Sequence, residues 1–473
     1  MAVEASLPAE APALSAGRIG VLERWRFDIS GITDEGSRLG LAMVFSVPLL
    51  GLLISVAATH TNVLVPQSDR PVYALGWLAG PFRYIGFTIP TPLAIALIIL
   101  MFGAYVVAAN ISDRVSPKAV LGAVIAFNLI VLLGPPLFST DIFSYQAYAR
   151  MFTAYHTNPY THGPSVLQLD PDNLYWFIGA KWIGTPSVYG PLFTLASGII
   201  GGASVLLSAI SFRLVAALSS AGVLFMLWRL AKIRNVNQSR AIAVFGLNPL
   251  ITLYGVGGGH NDLLMLLFAT AGIYFLLTRR ELASGASIVA AAAIKLTGAV
   301  LLPFAFAEGA AGEGVSRRRR RFLIGAAVTT IVIAIPSFIV FGNGLLKMPN
   351  TLETVQDEGQ WQSIPGFFLN LVGDNETHAI LTGCGVILAL VCLWMLRRVW
   401  RGQMDWLVAA GWTTFGLLLT AGSLLPWYVS WLFPIVALTS SRRLWNAAMW
   451  MTAIATVMTV VTYLPHGIPA LNI

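Results

Sequence analysis

Charged side chains are scarce: they make up 11% of this 473-residue chain, against 56% hydrophobic residues and a mean hydropathy of +0.75. Soluble domains carry roughly 25% charge. So little charge leaves no way to cover the apolar surface, which excludes a water-soluble fold and assigns the chain to the bilayer. Cysteine is nearly absent. Cys384 and Cys392 stand in one apolar run and read as small hydrophobes, which excludes a disulfide framework or a cysteine metal site. Also missing is any face on which basic and aromatic residues interleave. The net charge of +8 comes from short basic clusters between apolar runs, so they read as topology signals and no nucleic-acid partner is expected. Residues 1–37 lack the short apolar core and small-residue cleavage site of a signal peptide, and the first span is expected to do the targeting.

What the chain does have is a long succession of apolar runs, many of the length needed to cross a hydrocarbon slab ~30 Å thick and several shorter, with soft boundaries. The fold class expected is all-α, a polytopic transmembrane bundle of about thirteen spans. They are placed near 38–59, 92–110, 119–136, 212–230, 241–256, 263–278, 282–295, 297–312, 322–341, 379–396, 406–421, 427–440 and 446–463. Residues 1–37 form a cytoplasmic tail with a possible interfacial segment, and 38–473 form the transmembrane domain. The apolar stretch 191–208 is read as a helix lying in the outer leaflet. Counting it as a span would put Arg229, Lys232, Arg234 and Arg240 outside, against the positive-inside rule. Two long extracytoplasmic loops result, 137–211 and 342–378, rich in Pro, Gly and aromatics; loops of that length are usually functional.

Chemistry-bearing residues gather at the outer face. Asp141 follows an apolar run within Thr140-Asp141-Ile142-Phe143-Ser144-Tyr145. A carboxylate there suits a general base, since burial can raise its pKa toward working pH; the alternative is a helix N-cap. Asn158, Pro159, Tyr160 and His162, then Tyr189 to Leu192, have the composition of a saccharide site and equally of loops that cap a bundle. Gly257, Gly258 and Gly259 precede His260, Asn261 and Asp262, so the backbone there can approach a ligand closely, or simply turn. Lys295 interrupts an apolar stretch, where a cation needs a counter-charge or a route to the interface. Arg150, Lys181 and Arg213 are further outer cations able to meet a phosphate. Trp427, Tyr428 and Trp431 form an aromatic group at the same face, either an interfacial belt or part of a site.

Taken in order, these segments, with Ala293-Ile294-Lys295-Leu296 and Leu425-Pro426-Trp427-Tyr428, resemble the membrane glycosyltransferases of superfamily C (GT-C). Within it they are most similar to the actinobacterial polyprenol-phosphate-mannose-dependent α-1,6-mannosyltransferases of lipomannan synthesis. The resemblance extends over 38–463. It implies an inverting transfer of a sugar, mannose first, from a polyprenyl-phosphate donor to a glycan or glycolipid acceptor at the outer face of the bacterial inner membrane. Asp141 would be the base, with Lys295, His260 and Arg213, in that order, as partners for the leaving phosphate. Asn158, Tyr160, His162, Tyr189, Asn261, Asp262, Trp427 and Tyr428 complete the expected substrate-binding set. No cofactor is expected, with a divalent metal left open. Two spans precede the one that leads into Asp141, whereas in many members of the superfamily the aspartate loop follows the first. Two rival readings stand beside this one: transfer of another lipid-linked sugar such as arabinose or glucose, and a transporter or flippase. Transporters usually place their polar groups near the midplane, not at one face.

Overall fold

The computed structural model describes residues 35–60, 78–171, 173–308, 314–357, 362–372 and 377–462. The expected tail and interfacial segment at 1–37 fall almost wholly outside these. Among the described residues the regular structure is helical throughout. In chain order the helices are α1 (Glu35–His60), α2 (Thr91–Ile111), α3 (Pro117–Leu133), α4 (Asp141–Thr153), α5 (Pro191–Ser197), α6 (Val205–Ile233) and α7 (Gln238–Gly246). Then come α8 (Asp262–Leu277), α9 (Glu281–Ile294), α10 (Leu301–Ala307), α11 (Val315–Phe341), α12 (Met348–Asp357) and α13 (Ile364–Val372). The last are α14 (Thr377–Trp400), α15 (Trp406–Thr420), α16 (Phe433–Ala437) and α17 (Arg442–Thr462).

Six of these, α1, α2, α6, α11, α14 and α17, are long and apolar enough to cross a bilayer. A seventh crossing comes from α7 and the π-helix Leu250–Gly257 taken together, bent by 55°. The bend has a local cause. Pro249 cannot donate to the helical ladder, and the side chain of Asn248 takes over the freed donors, its Oδ1 accepting from the backbone N–H of Leu250 at 2.9 Å. Tyr105 locks the bend from α2, accepting from Asn248 Nδ2 at 3.2 Å and donating to the Val244 carbonyl at 2.9 Å. The apolar stretches expected at 119–136, 263–278, 282–295, 297–312 and 406–421 are shorter apolar helices of 10–17 residues, that at 297–312 counting the 3-10 turn before α10, and the expected span 427–440 is a 3-10 segment followed by the short α16.

The expected outer-leaflet helix at 191–208 is shorter than its apolar run suggests. It ends at Ile200, after α5 and one 3-10 turn, and 205–211 already belong to α6. Ser204 makes the break, its side chain accepting from the backbone N–H of Leu207 at 3.3 Å and capping α6. The first loop therefore closes at Ser204 rather than at 211.

Burial divides the bundle. The core is built mainly from α1–α4, α6–α9, α15 and the Pro426–Ala437 segment, whereas α11 and α14 stand against it with most of their surface open. Cys384 and Cys392 on α14 are free and half-exposed, in keeping with their reading as hydrophobes.

Candidate active site

Three chain segments meet at one end of α3, the π-helix and α9. The first is the glycine turn. The π-helix ends at Gly257, whose carbonyl accepts from the Leu137 N–H at 3.3 Å and so ties the turn to the exit of α3. Gly259 has φ +66, and a Cβ there would lie 2.5 Å from Ile142 and 3.1 Å from the Arg213 side chain, so both backbone angle and space require glycine. The turn buries His260, Asn261 and Asp262 almost completely.

The second segment carries Asp141, the first residue of α4. Its N–H is taken by Ser139 Oγ at 3.1 Å, and its own carboxylate makes no capping bond, which removes the cap reading. Just upstream, Phe138 is held at φ +63, a left-handed angle uncommon outside glycine, and stacks on Tyr254 with ring centroids 4.6 Å apart. Oδ2 of Asp141 is approached by the Tyr189 hydroxyl at 3.4 Å, the Tyr145 hydroxyl at 3.5 Å and His260 Nδ1 at 3.4 Å. All three contacts are long, and that of His260 reaches the charge without hydrogen-bond geometry. No side chain among the described residues donates to Oδ1. Burial pushes this carboxyl up, but His260 foremost, then Lys295 and the Ser139 hydroxyl, outweigh it and hold the group below the ordinary carboxylate value. The expectation that burial would raise it toward neutrality is thus reversed, because an imidazole and an ammonium share the same desolvated corner. Burial pushes the phenols of Tyr145 and Tyr189 well upward, so both are donors at any working pH. His260 stacks on Trp427 at 4.1 Å between centroids.

Lys295 supplies the third segment. It lies in the extended residue between α9 and the following 3-10 turn, and it finds the counter-charge its apolar surroundings demand. Its Nζ donates to both oxygens of Asp262, at 2.8 and 2.9 Å. Trp431 Nε1 donates to Asp262 Oδ1 at 2.6 Å, and Lys295 lies 4.5 Å above the Tyr428 ring and 5.3 Å above that of Trp431. The loop that carries Tyr189 is docked directly on this turn. The Gly190 N–H donates to the Ile294 carbonyl at 3.0 Å, and a Cβ at Gly190 would meet the Ala293 carbonyl oxygen at 2.2 Å.

Asp141, Tyr189, Lys295 and Tyr428 open onto one cavity of about 340 Å³. Away from these four its walls are largely apolar, from Leu352 and Val355 of α12, Leu381 and Leu388 of α14, and Leu417 of α15. Trp182, Gln356 and Ser423 also line it; they were not read as site residues, because a tryptophan, a glutamine and a serine in these segments carry no signal that separates them from their neighbours.

Other expected site residues lie elsewhere. Arg213 is buried in α6 and donates to the Val131 and Gly134 carbonyls, satisfying the end of α3, and it does not line the cavity that Asp141 and Lys295 share. Asn158 Nδ2 donates to the Phe341 carbonyl at 2.6 Å, and the Tyr160 hydroxyl donates to the Tyr189 carbonyl at 2.9 Å, so both brace the loop. His162 is exposed, its Nδ1 2.8 Å from the Thr161 hydroxyl. Arg150 is buried against Asp170 at 2.7 Å, and Lys181 lies 5.3 Å above the Trp182 ring. Glu353, Asp357 and His378 bring potential metal ligands within 4.8 Å of one another on the largely exposed side of α12 and the start of α14.

No solved structure matches the chain. It is 27% identical over 345 residues to alpha-(1->6)-mannopyranosyltransferase A of Mycobacterium tuberculosis, which covers 66% of this chain and 64% of that protein. A "probable alpha-(1->6)-mannopyranosyltransferase" of Mycolicibacterium smegmatis is 26% identical over 92% of this chain and 86% of its own length. Alpha-(1->6)-mannopyranosyltransferase B of Corynebacterium glutamicum is 25% identical over 66% of this chain and 57% of its own. The chain thus spans a little under two thirds of the first of these relatives. Residues 359–471 match the MptB C-terminal domain. Residues 47–310, which hold Asp141, His260 and Lys295, match the family described as "Alpha-(1->6)-mannopyranosyltransferase, N-terminal domain", and the chain belongs to that family.

Proposed function

We propose that this membrane protein transfers mannose from a polyprenyl-phosphate donor to a hydroxyl of a glycan or glycolipid acceptor, with inversion, at the extracytoplasmic face of the bacterial plasma membrane. The observation that carries the proposal is the pairing, on one otherwise apolar cavity, of an ionised carboxylate with long contacts only (Asp141) and a fixed ammonium (Lys295). An apolar wall suits a prenyl chain, and a cation at its polar end suits the phosphate.

In the proposed reaction the acceptor oxygen attacks the anomeric carbon as its proton passes to Asp141, and the bond from that carbon to the phosphate oxygen breaks. Polyprenyl phosphate leaves with the electron pair. Oδ1 is the oxygen that receives the proton, since the Tyr145, Tyr189 and His260 contacts all fall on Oδ2. Two of the three Lys295 N–H donors are committed to Asp262, and the third is left for the leaving phosphate, whose charge grows as the bond breaks. Tyr428 and Trp431 hold that ammonium by their ring faces.

Purified protein in detergent, given synthetic polyprenyl-phosphate mannose, glucose or arabinose with a mannoside acceptor, should incorporate mannose and leave the other two largely unused. Preferred use of arabinose or glucose would move the reading to another lipid-linked sugar. No incorporation from any of the three would overturn it.

A further inference from the structure

At the end of the bundle opposite Asp141 the molecule has a second cavity, of about 650 Å³, which the transfer reaction does not use. It is a groove between α2 and α17. The two ends are separated by α3, which runs from beside Asp113 to the loop before Asp141, roughly 25 Å for its 17 residues.

The lining of this groove changes character along its length. Phe102, Val106 and Asn110 follow one another at one-turn spacing on α2, and Asp113 comes next. On the antiparallel α17, Arg442 and Asn446 are followed by Met449, Trp450 and Ala453. Both walls are therefore polar at the helix ends and apolar toward the middle of the bilayer, the polarity profile of a phospholipid standing in one leaflet. Arg240 enters from the start of α7, its guanidinium 4.7 Å above the Trp445 ring. Among the described residues neither Arg240 nor Arg442 is within ion-pair distance of a carboxylate, although Asp113 shares the groove. Trp450, 71% exposed, offers a ring face beside the apolar half.

We infer that this groove binds one glycerophospholipid, with its phosphate diester held by Arg240 and Arg442 and an acyl chain laid along Phe102, Val106, Met449 and Trp450. The charge of the arginines requires the phosphate, and the apolar half requires the chain. Asp113 opposes a second negative charge, which favours a singly charged head over a doubly charged one.

The test is native mass spectrometry of the full chain in detergent with added dioleoyl phosphatidylglycerol, dioleoylglycerol or inorganic phosphate. The expected result is one retained phosphatidylglycerol, with no comparable adduct from the other two. Arginines near an anionic headgroup contribute about fivefold each, so the double variant Arg240→Gln with Arg442→Gln should lose roughly 30-fold in retention. The control double variant Arg114→Gln with Arg443→Gln removes equal charge from the same end but outside the groove, and should retain the lipid as the wild type does. Equal losses in both double variants, or full retention in the first, would show general surface attraction and overturn the inference. Equal retention of dioleoylglycerol, or phosphate binding at the same concentration, would overturn it as well. Unchanged thermal midpoints without added lipid separate loss of binding from loss of fold.

Discussion

Asp141 and Asp262 stand in the same pocket, each the first residue of a helix and each beside a cation, yet they are built for opposite ends. Asp262 is saturated: Lys295 holds both its oxygens and Trp431 adds a third bond, all at 2.6–2.9 Å. Asp141 has only contacts of 3.4–3.5 Å, all on one oxygen. A carboxylate that must accept a proton needs a free lone pair, and one that must hold an ammonium in place needs none. The difference lies in bonding rather than in sequence, since both residues read alike as acids next to an apolar run.

The largest effect should come from removing the free oxygen. Asp141→Asn should lower transfer by 10²- to 10⁴-fold, the usual contribution of a general base, with donor binding and thermal midpoint nearly unchanged. Transfer near the wild-type rate would show that Asp141 is not the base. The corresponding change in the saturated corner should be felt by the fold. Asp262→Asn leaves the half-buried Lys295 without its counter-charge, at a cost toward the low end of about 3–5 kcal/mol of stability, and the added change Lys295→Met should restore much of the midpoint while leaving transfer low. A double variant no more stable than Asp262→Asn would argue that the pair is not a unit. Lys295→Met alone should weaken donor binding as well as turnover, by about 1.5–3 kcal/mol.

Smaller effects should sharpen the contrast. Asp141 is held below the ordinary carboxylate value, so it stays ionised into acid and transfer should fall only at a pH below the ordinary carboxylate range, as it becomes protonated. His260 is foremost among the groups that lower it. Removing that contribution leaves burial, which raises it, so His260→Ala should move the acid limb of the rate profile upward; an unmoved limb would mean that the pair does not interact. Tyr189→Phe should cost least, about fivefold, for one long hydrogen bond.

The sequence made the polar core of this site legible because ionisable residues in apolar surroundings are conspicuous. Asp141, His260, Asp262 and Lys295 announced themselves in that way, and the structure brings them together. Asn158, Tyr160 and His162 are the same residue types in the same loop, and they brace it or face outward; composition alone does not separate a residue that lines a pocket from one that ties a loop. Arg213 shows the same ambiguity from within a helix, its charge spent on the carbonyls that end α3. The apolar wall was not legible at all, since Leu381 and Leu417 look in sequence like any lipid-facing leucine and Leu352 like any loop leucine. Helix positions followed hydropathy closely. Six helices and one bent pair are long and apolar enough to cross a bilayer, and the remaining apolar runs form shorter helices.

The docking of Gly190 on the end of α9 has a consequence for selectivity. Tyr189, which touches Asp141, and Lys295 are each next to a residue of one backbone hydrogen bond, that from the Gly190 N–H to the Ile294 carbonyl. The backbone that carries Tyr189 is thereby tied by main chain to the backbone that carries Lys295, so the spacing of the two cavity walls at this point does not depend on a side-chain contact. Donors should be sorted by the distance from their phosphate to the reacting carbon, while the number of isoprene units beyond the cavity goes unmeasured.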